Sequence, residues 1–385
     1  MNAYSLKGAR VFDGERLTNH KAVIVREGRI EAIVAENDID ANLPQINLDG
    51  GILAPGFIDA QVNGGGGIML NDAPTAENMR IMAAAHRPFG TTSMLPTLIT
   101  DVQEKSDQAI AAAISVMDEN AGVVGLHLEG PHIAPARKGV HLPKFMRPVS
   151  DDDVAAMVEA AKHIDALLVT MAAEQVSAAQ VEKLSANGVI VCLGHTDATA
   201  EAATRLFEAG AHGVTHLFNA MSQLGSRAPG VVGAALDHPA VWGGIIADGH
   251  HIDPMSLRVA IRAKHANMGE GKLFFVTDAM SLVGSDKNSF DLHGRTVSRS
   301  VGDGLPKLTL ADGTIAGSDL DMAAAVRFGV EMLDLSLATS LAMATSYPAR
   351  FLRLADRGFI RAGLRADLVH LDDELQVRRT WIAGV

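Results

Sequence analysis

The chain has 385 residues, 48% apolar and 20% charged, with a formal net charge of −12; that is core enough for a large fold, and the acidic surface excludes nucleic acid and anionic membranes as partners. A single cysteine, Cys192, excludes an internal disulfide framework, and no apolar run reaches the roughly 18 residues of a membrane span. Residues 1–10 lack the apolar segment of a secretory signal, so a cytoplasmic protein is expected.

The first fifty residues read as short strands: 22–25 and 29–34 flank Glu27-Gly28, a turn signal. From there, apolar runs alternate with helical patterns. Eight strands are predicted, at 56–62, 91–95, 123–128, 167–172, 189–193, 213–216, 242–247 and 273–277. Helices are predicted between them at 76–87, 106–117, 154–163, 199–209 and 254–266. Continuous apolar strands imply a parallel sheet buried on both faces, and eight βα repeats imply a closed (β/α)8 TIM-type barrel. The segment 285–306 is expected to be irregular, a mobile lid. Residues 368–371 and 377–382 are β-like again. The expected organisation is a barrel over 54–350 with a small β-sandwich built from both chain ends, 1–53 and 351–385.

The residues that follow the strands carry the chemistry. The third predicted strand runs into Glu129, the fifth into Gly194-His195, the sixth into His216 and the eighth into Asp278. In a barrel these carboxyl ends converge on the face that bears active sites. His195 and His216 are separated by one helix and so occupy neighbouring strands. Two histidines and a carboxylate form a catalytic zinc set with a position left for water, so Glu129, His195 and His216 are read as metal ligands. Zn²⁺ suits them, and Fe²⁺, Mn²⁺ or Co²⁺ could also be held. Asp278 is the candidate proton shuttle.

His127 is placed on the strand face opposite Glu129 and read as packed or supporting. Cys192, inside a strand, is read as a buried inert thiol. The loop Lys138-Gly139-Val140-His141 offers a histidine over the site that could bind substrate or polarise its carbonyl. A second group, Asn219 and Ala220 after His216, then Arg227, then His251, suggests anion binding; for Arg227 a surface ion pair is an equal reading.

With these residues on the page, the chain resembles the amidohydrolase superfamily, in its family of N-acetylglucosamine-6-phosphate deacetylases. The segments that carry the resemblance are Pro55-Gly56-Phe57-Ile58-Asp59, His127-Leu128-Glu129-Gly130-Pro131, Lys138-Gly139-Val140-His141, Gly194-His195-Thr196, Thr215-His216-Leu217-Phe218-Asn219-Ala220-Met221, Asp248-Gly249-His250-His251, Thr277-Asp278-Ala279 and Ala316-Gly317-Ser318.

The resemblance implies that Glu129, His195 and His216 hold the metal and that Asp278 is general base, then acid. It implies that Val140 and His141 meet the substrate, His141 at the acetyl carbonyl. Asn219, Ala220, Arg227 and His251 would contact a sugar phosphate, partly across a subunit interface of a homodimer or homotetramer. Where two-metal members of the superfamily carry H-x-H, this chain has Gln61-Val62-Asn63. Amides are poor zinc ligands, so one metal is expected. The rival expectations are the same reaction on the galactosamine epimer, a cyclic-amide hydrolase such as a dihydroorotase, and a non-catalytic barrel that binds a sugar phosphate.

Overall fold

The computed structural model describes residues 3–117, 119–266, 269–302 and 304–385. Eight parallel strands form one sheet in chain order: β1 (Phe57–Val62), β2 (Thr91–Ile99), β3 (Gly125–Glu129), β4 (Ala166–Met171), β5 (Ile190–Leu193), β6 (Gly213–Val214), β7 (Trp242–Ile245) and β8 (Leu273–Phe275). The edges meet: Val62 bridges Ala279 in parallel, and the Asp278 N–H donates to the Gln61 carbonyl at 3.0 Å. The sheet is therefore a barrel, and the sequence placed all eight strands. Their residues are buried throughout, as a sheet covered by helices outside and packed side chains inside requires.

Each strand is followed by a helix. Two of the predicted helices begin about one turn earlier than the apolar periodicity, at Gln103 and Asp151, because their opening residues are polar. Ser150 and Asp153 form a capping box at the start of Asp151–Ala160, and Ser177 and Gln180 do the same for Ala178–Ala186.

Two sheets lie outside the barrel. One contains Arg29–Ala35, Lys21–Arg26, Ala3–Lys7 and Gln45–Asn47, in that order. The other contains Val377–Trp381, Leu368–Leu371, Ile52–Pro55, Arg10–Phe12 and Leu17–Thr18. They share an apolar core of Tyr4, Leu6, Val23 and Ile30 from the first and Val11, Leu53, Leu368 and Trp381 from the second, so they form a sandwich drawn from both ends of the chain.

The segment 285–306 differs from expectation. Ser289–Leu292 and Arg295–Ser300 pair antiparallel, and Lys307–Leu310 adds a third strand. His293-Gly294, both at positive φ, make the tight turn between the first two. The alternation that drives this sheet is sparse, with Leu292, Val297, Leu308 and Leu310 buried and Phe290 half-buried. They pack on Met69, Ile99, Val140 and Met280 beside the barrel mouth. Among the described residues no helix is long and apolar enough to cross a membrane.

Candidate active site

The barrel mouth holds a cavity of about 180 Å³, lined among others by Glu129, Val140, His141, His195, His216, Asn219, Ala220, His251 and Asp278. Nine of the ten residues singled out in the sequence thus meet in one place. Three of them leave their strands in an unusual way: His195, His216 and Asp278 have φ of 48°, 30° and 53°. Left-handed backbone is rare for non-glycine residues and is found where a site must be held in one geometry. Here it turns each side chain at a strand end toward the barrel axis.

The innermost contacts are short. His216 Nε2 lies 2.8 Å from Glu129 Oε1, His195 Nε2 lies 3.1 Å from the same oxygen, and the two Nε2 atoms are 3.1 Å apart. His195 Nδ1 donates to the Arg137 carbonyl at 2.8 Å, which leaves the Nε2 lone pair facing inward. Burial alone would raise the Glu129 carboxyl, but the two imidazoles more than offset it and hold the group well below the ordinary carboxylate range. Bonds of about 2.0–2.2 Å in a tetrahedral site put donor atoms about 3.3 Å apart. Two imidazoles and one carboxylate aimed at a single point at nearly that spacing fit one divalent cation.

A different trio, Glu129, His141 and His195, also has ligand atoms within 4.8 Å of one another. The tautomer of His141 decides between them. The Thr100 backbone N–H points at His141 Nδ1 at 3.3 Å, and the Thr100 hydroxyl lies 2.9 Å from the same nitrogen. Nδ1 is thus the acceptor and Nε2 carries the hydrogen. Burial, then the neighbouring His195, pushes the ring down to about 3, so it is neutral. A neutral ring with Nε2–H over the cavity is a donor rather than a ligand.

Asp278 Oδ1 accepts from Asn63 Nδ2 at 2.6 Å and from Gln61 Nε2 at 3.0 Å. Gln61 Nε2 is also 3.2 Å from Glu129 Oε1. Burial and the Glu129 charge push the Asp278 carboxyl up to about 6, against the pull of His216, His251 and Asn63. A carboxyl placed there can both take and give a proton near neutral pH.

His251 is spoken for on both ring nitrogens. Nδ1 donates to Asp248 Oδ2 at 2.6 Å and Nε2 to the Ala316 carbonyl at 3.1 Å, an arrangement only the imidazolium satisfies. Burial opposes that charge, and Asp248 outweighs burial and raises the ring. Arg227 is apart from the cavity: it is exposed and has no hydrogen bond or ion pair among the described residues. The equal reading of a surface ion pair within one chain therefore fails.

His127 requires a correction. Residues two apart on a strand share a face, so His127 and Glu129 both point into the barrel. His127 lines the space below the site with Gln61, Cys192 and His216, its Nε2 is 2.7 Å from Thr170 Oγ1, and burial pushes it down to about 4. Burial likewise raises the Cys192 thiol and keeps it inert. Thr100, Asp248 and the amide contacts of Gln61 and Asn63 escaped the sequence reading. Of these only Asp248, three residues before His251 in a turn, left a local signal.

The description "Amidohydrolase family" matches residues 52–385, and "NagA composite domain" matches residues 3–53. The N-acetylgalactosamine-6-phosphate deacetylase of Shewanella sp. (strain ANA-3) is 42% identical over 384 residues, 98% of this chain and 94% of that protein. The N-acetylglucosamine-6-phosphate deacetylase of Haemophilus influenzae is 34% identical over 390 residues, 99% of this chain and 98% of its own. Among solved structures, the N-acetylglucosamine-6-phosphate deacetylase of Pasteurella multocida superposes with a TM-score of 0.93 at 34% identity, covering 99% of this chain and 98% of that one. A variant of the Mycobacterium smegmatis enzyme, crystallised with N-acetyl-D-glucosamine-6-phosphate, does so at 0.90 with 29% identity, covering 100% and 99%. With its barrel, its strand-end site and these relatives, the chain belongs to the amidohydrolase family, among the amino-sugar-phosphate deacetylases.

Proposed function

We propose that this enzyme hydrolyses the acetamide of N-acetyl-D-glucosamine 6-phosphate to D-glucosamine 6-phosphate and acetate. The observation that carries the reading is the convergence of Glu129, His195 and His216 within 3.1 Å, with Asp278 and a neutral His141 beside them. In this reading the trio holds one Zn²⁺ per subunit. Such an ion lowers the pKa of a bound water toward about 7 and polarises a carbonyl. Asp278 takes a proton from the attacking water and delivers it to the nitrogen as the C–N bond breaks. His141 donates from Nε2–H to the acetyl oxygen, where negative charge develops.

In this reading Asn219, Ala220 and His251, all of which line the cavity, meet the phosphate, and Val140, which lines it too, meets the substrate. Arg227 is assigned to the phosphate of a second subunit. Its surroundings in sequence support this: Leu224, in the same loop, and Met255 and Val259, in the helix Pro254–Ala266, are exposed and line one apolar groove with Phe218 and Leu236. An exposed apolar groove of this kind suits a homodimer interface. A barrel over 54–350, a sandwich from both chain ends and a cytoplasmic setting belong to the same reading.

The N-acetylgalactosamine 6-phosphate reading has its own support in the 42% identity to the Shewanella protein, against 34% to the Haemophilus protein. Acetate release from both epimers by zinc-loaded protein decides. A higher kcat/KM for the glucosamine epimer upholds the first reading, and a higher value for the galactosamine epimer replaces it with the second. No acetate from either sinks both.

A further inference from the structure

Asp278 has two oxygens, and the protein treats them differently. Oδ1 receives two amide N–H groups, from Asn63 at 2.6 Å and Gln61 at 3.0 Å. Oδ2 receives no protein donor among the described residues. A carboxylate without fixed donors can rotate about its last bond and present either oxygen. Two donors on Oδ1 stop that rotation.

The orientation of Asn63 is bought with an unsatisfied atom. Its Oδ1 is buried and has no partner among the described residues, although the residue is only 1% exposed. A buried acceptor left unpaired is costly. Turning the amide over would set its oxygen against the Asp278 carboxylate, so the charge-assisted bond to Asp278 fixes it. The backbone holds it in register: Asn63 N–H donates to the Ala279 carbonyl and Asp278 N–H to the Gln61 carbonyl, across the seam that closes the barrel. Gln61 extends the hold to the metal trio, because its Nε2 also lies 3.2 Å from Glu129 Oε1.

We infer that Gln61 and Asn63 are positioning residues, a pair of amide donors that anchor Asp278 Oδ1 and leave Oδ2 as the one oxygen free to carry the proton. The two positions thus have a purpose of their own beyond failing to bind a second metal. The inference rests on the deacetylase reading above, in which Asp278 is the shuttle. The charged and titratable groups that face Asp278 are Glu129, His216, His251 and Asp59. All of them are kept when the amides are changed, so the variants alter the donors and not the charges.

The test uses Gln61→Met and Asn63→Leu, near-isosteres without the N–H, in the zinc-loaded enzyme. Each is expected to lower kcat about 10- to 100-fold, with KM changed less than about threefold, since a hydrogen bond to a charged group is lost. The acid limb of the kcat–pH profile should move to higher pH in both, because an ionised carboxylate loses a donor. Metal content, measured separately, should stay at the wild-type value. An unmoved acid limb in the Gln61 variant, or a loss confined to KM or to metal content, overturns the inference. If the buried Asn63→Leu chain does not fold, the Gln61 variant decides alone. Wild-type acetate release is measured first: its absence sinks the deacetylase reading, whereas active wild-type enzyme with an unmoved profile in the variants sinks only this inference.

Discussion

Thr100 sets the state of His141: its N–H and hydroxyl both address Nδ1, at 3.3 and 2.9 Å, so the ring presents Nε2–H to the cavity. A residue at the end of one strand thereby fixes the tautomer of a histidine on the loop after the next. Thr100→Val removes the hydroxyl and keeps the shape. The hydroxyl also lies 3.3 Å from the Glu129 carbonyl; loss of its contact with His141, about 0.5–1.5 kcal/mol, should lower kcat roughly 3- to 10-fold and leave bound zinc unchanged. Wild-type kcat in this variant would show that the hydroxyl is not needed to hold the ring.

Removal of the metal is the most direct test of the trio. A chelator should abolish turnover, and one equivalent of Zn²⁺ per subunit should restore it. His216→Ala should bind zinc at least 10- to 100-fold more weakly, on the scale by which even supporting residues of metal sites matter. Restoration that needs two equivalents would reject the single-metal reading.

Arg227 is exposed and unpaired, so its replacement should leave stability within about 0.5 kcal/mol of wild type. If it meets phosphate across an interface, Arg227→Ala should raise KM about 10- to 100-fold for the phosphorylated sugar and hardly at all for the free sugar. Mixing the Arg227→Ala and Asp278→Asn variants should then recover activity, since a hybrid dimer contains one complete site. No recovery on mixing would place the arginine and the aspartate in one subunit's site.

Asp59 makes a prediction about stability. It is fully buried and accepts from the Thr277 hydroxyl at 2.6 Å, and burial raises its carboxyl to about 7. A raised acid is protonated in the fold where the unfolded chain, near 3.9, has released the proton. Its contribution is therefore full below about pH 4, falls by about 1.4 kcal/mol per unit as pH rises, and is gone above about 7. Asp59→Asn should flatten this part of the stability curve. Denaturant melts of both proteins at pH 5, 6 and 7 measure it, and parallel curves would reject the assignment.

Much of this architecture was legible in sequence because the barrel's signals are local. An apolar run such as Val189-Ile190-Val191-Cys192-Leu193, followed by Gly194-His195, states a strand and what it carries to the mouth. What escaped depends on contacts between distant segments. Thr100 and His141 are 41 residues apart, and Asn63 and Asp278 are 215 apart. No periodicity records that a threonine sets a tautomer or that two amides hold a carboxylate. The 289–310 sheet escaped for another reason: its strands are mostly solvent-facing, and only five apolar side chains mark them. His127 and Glu129 stand two apart on one strand and so share a face, which the alternation in the sequence already states.

The outer sandwich has a consequence for how the molecule is made. Leu368 pairs with Pro55 and Leu371 with Ile52, so a strand near the front of the chain waits for one near its back. During synthesis the ribosome delivers Ile52–Pro55 early and its partner only after the whole barrel. Until then that strand is an open edge, the kind of surface on which nascent chains stick to one another. Completion of the sandwich is accordingly a late event, and a ribosome stalled within the barrel would leave a chain whose five-stranded sheet cannot be completed.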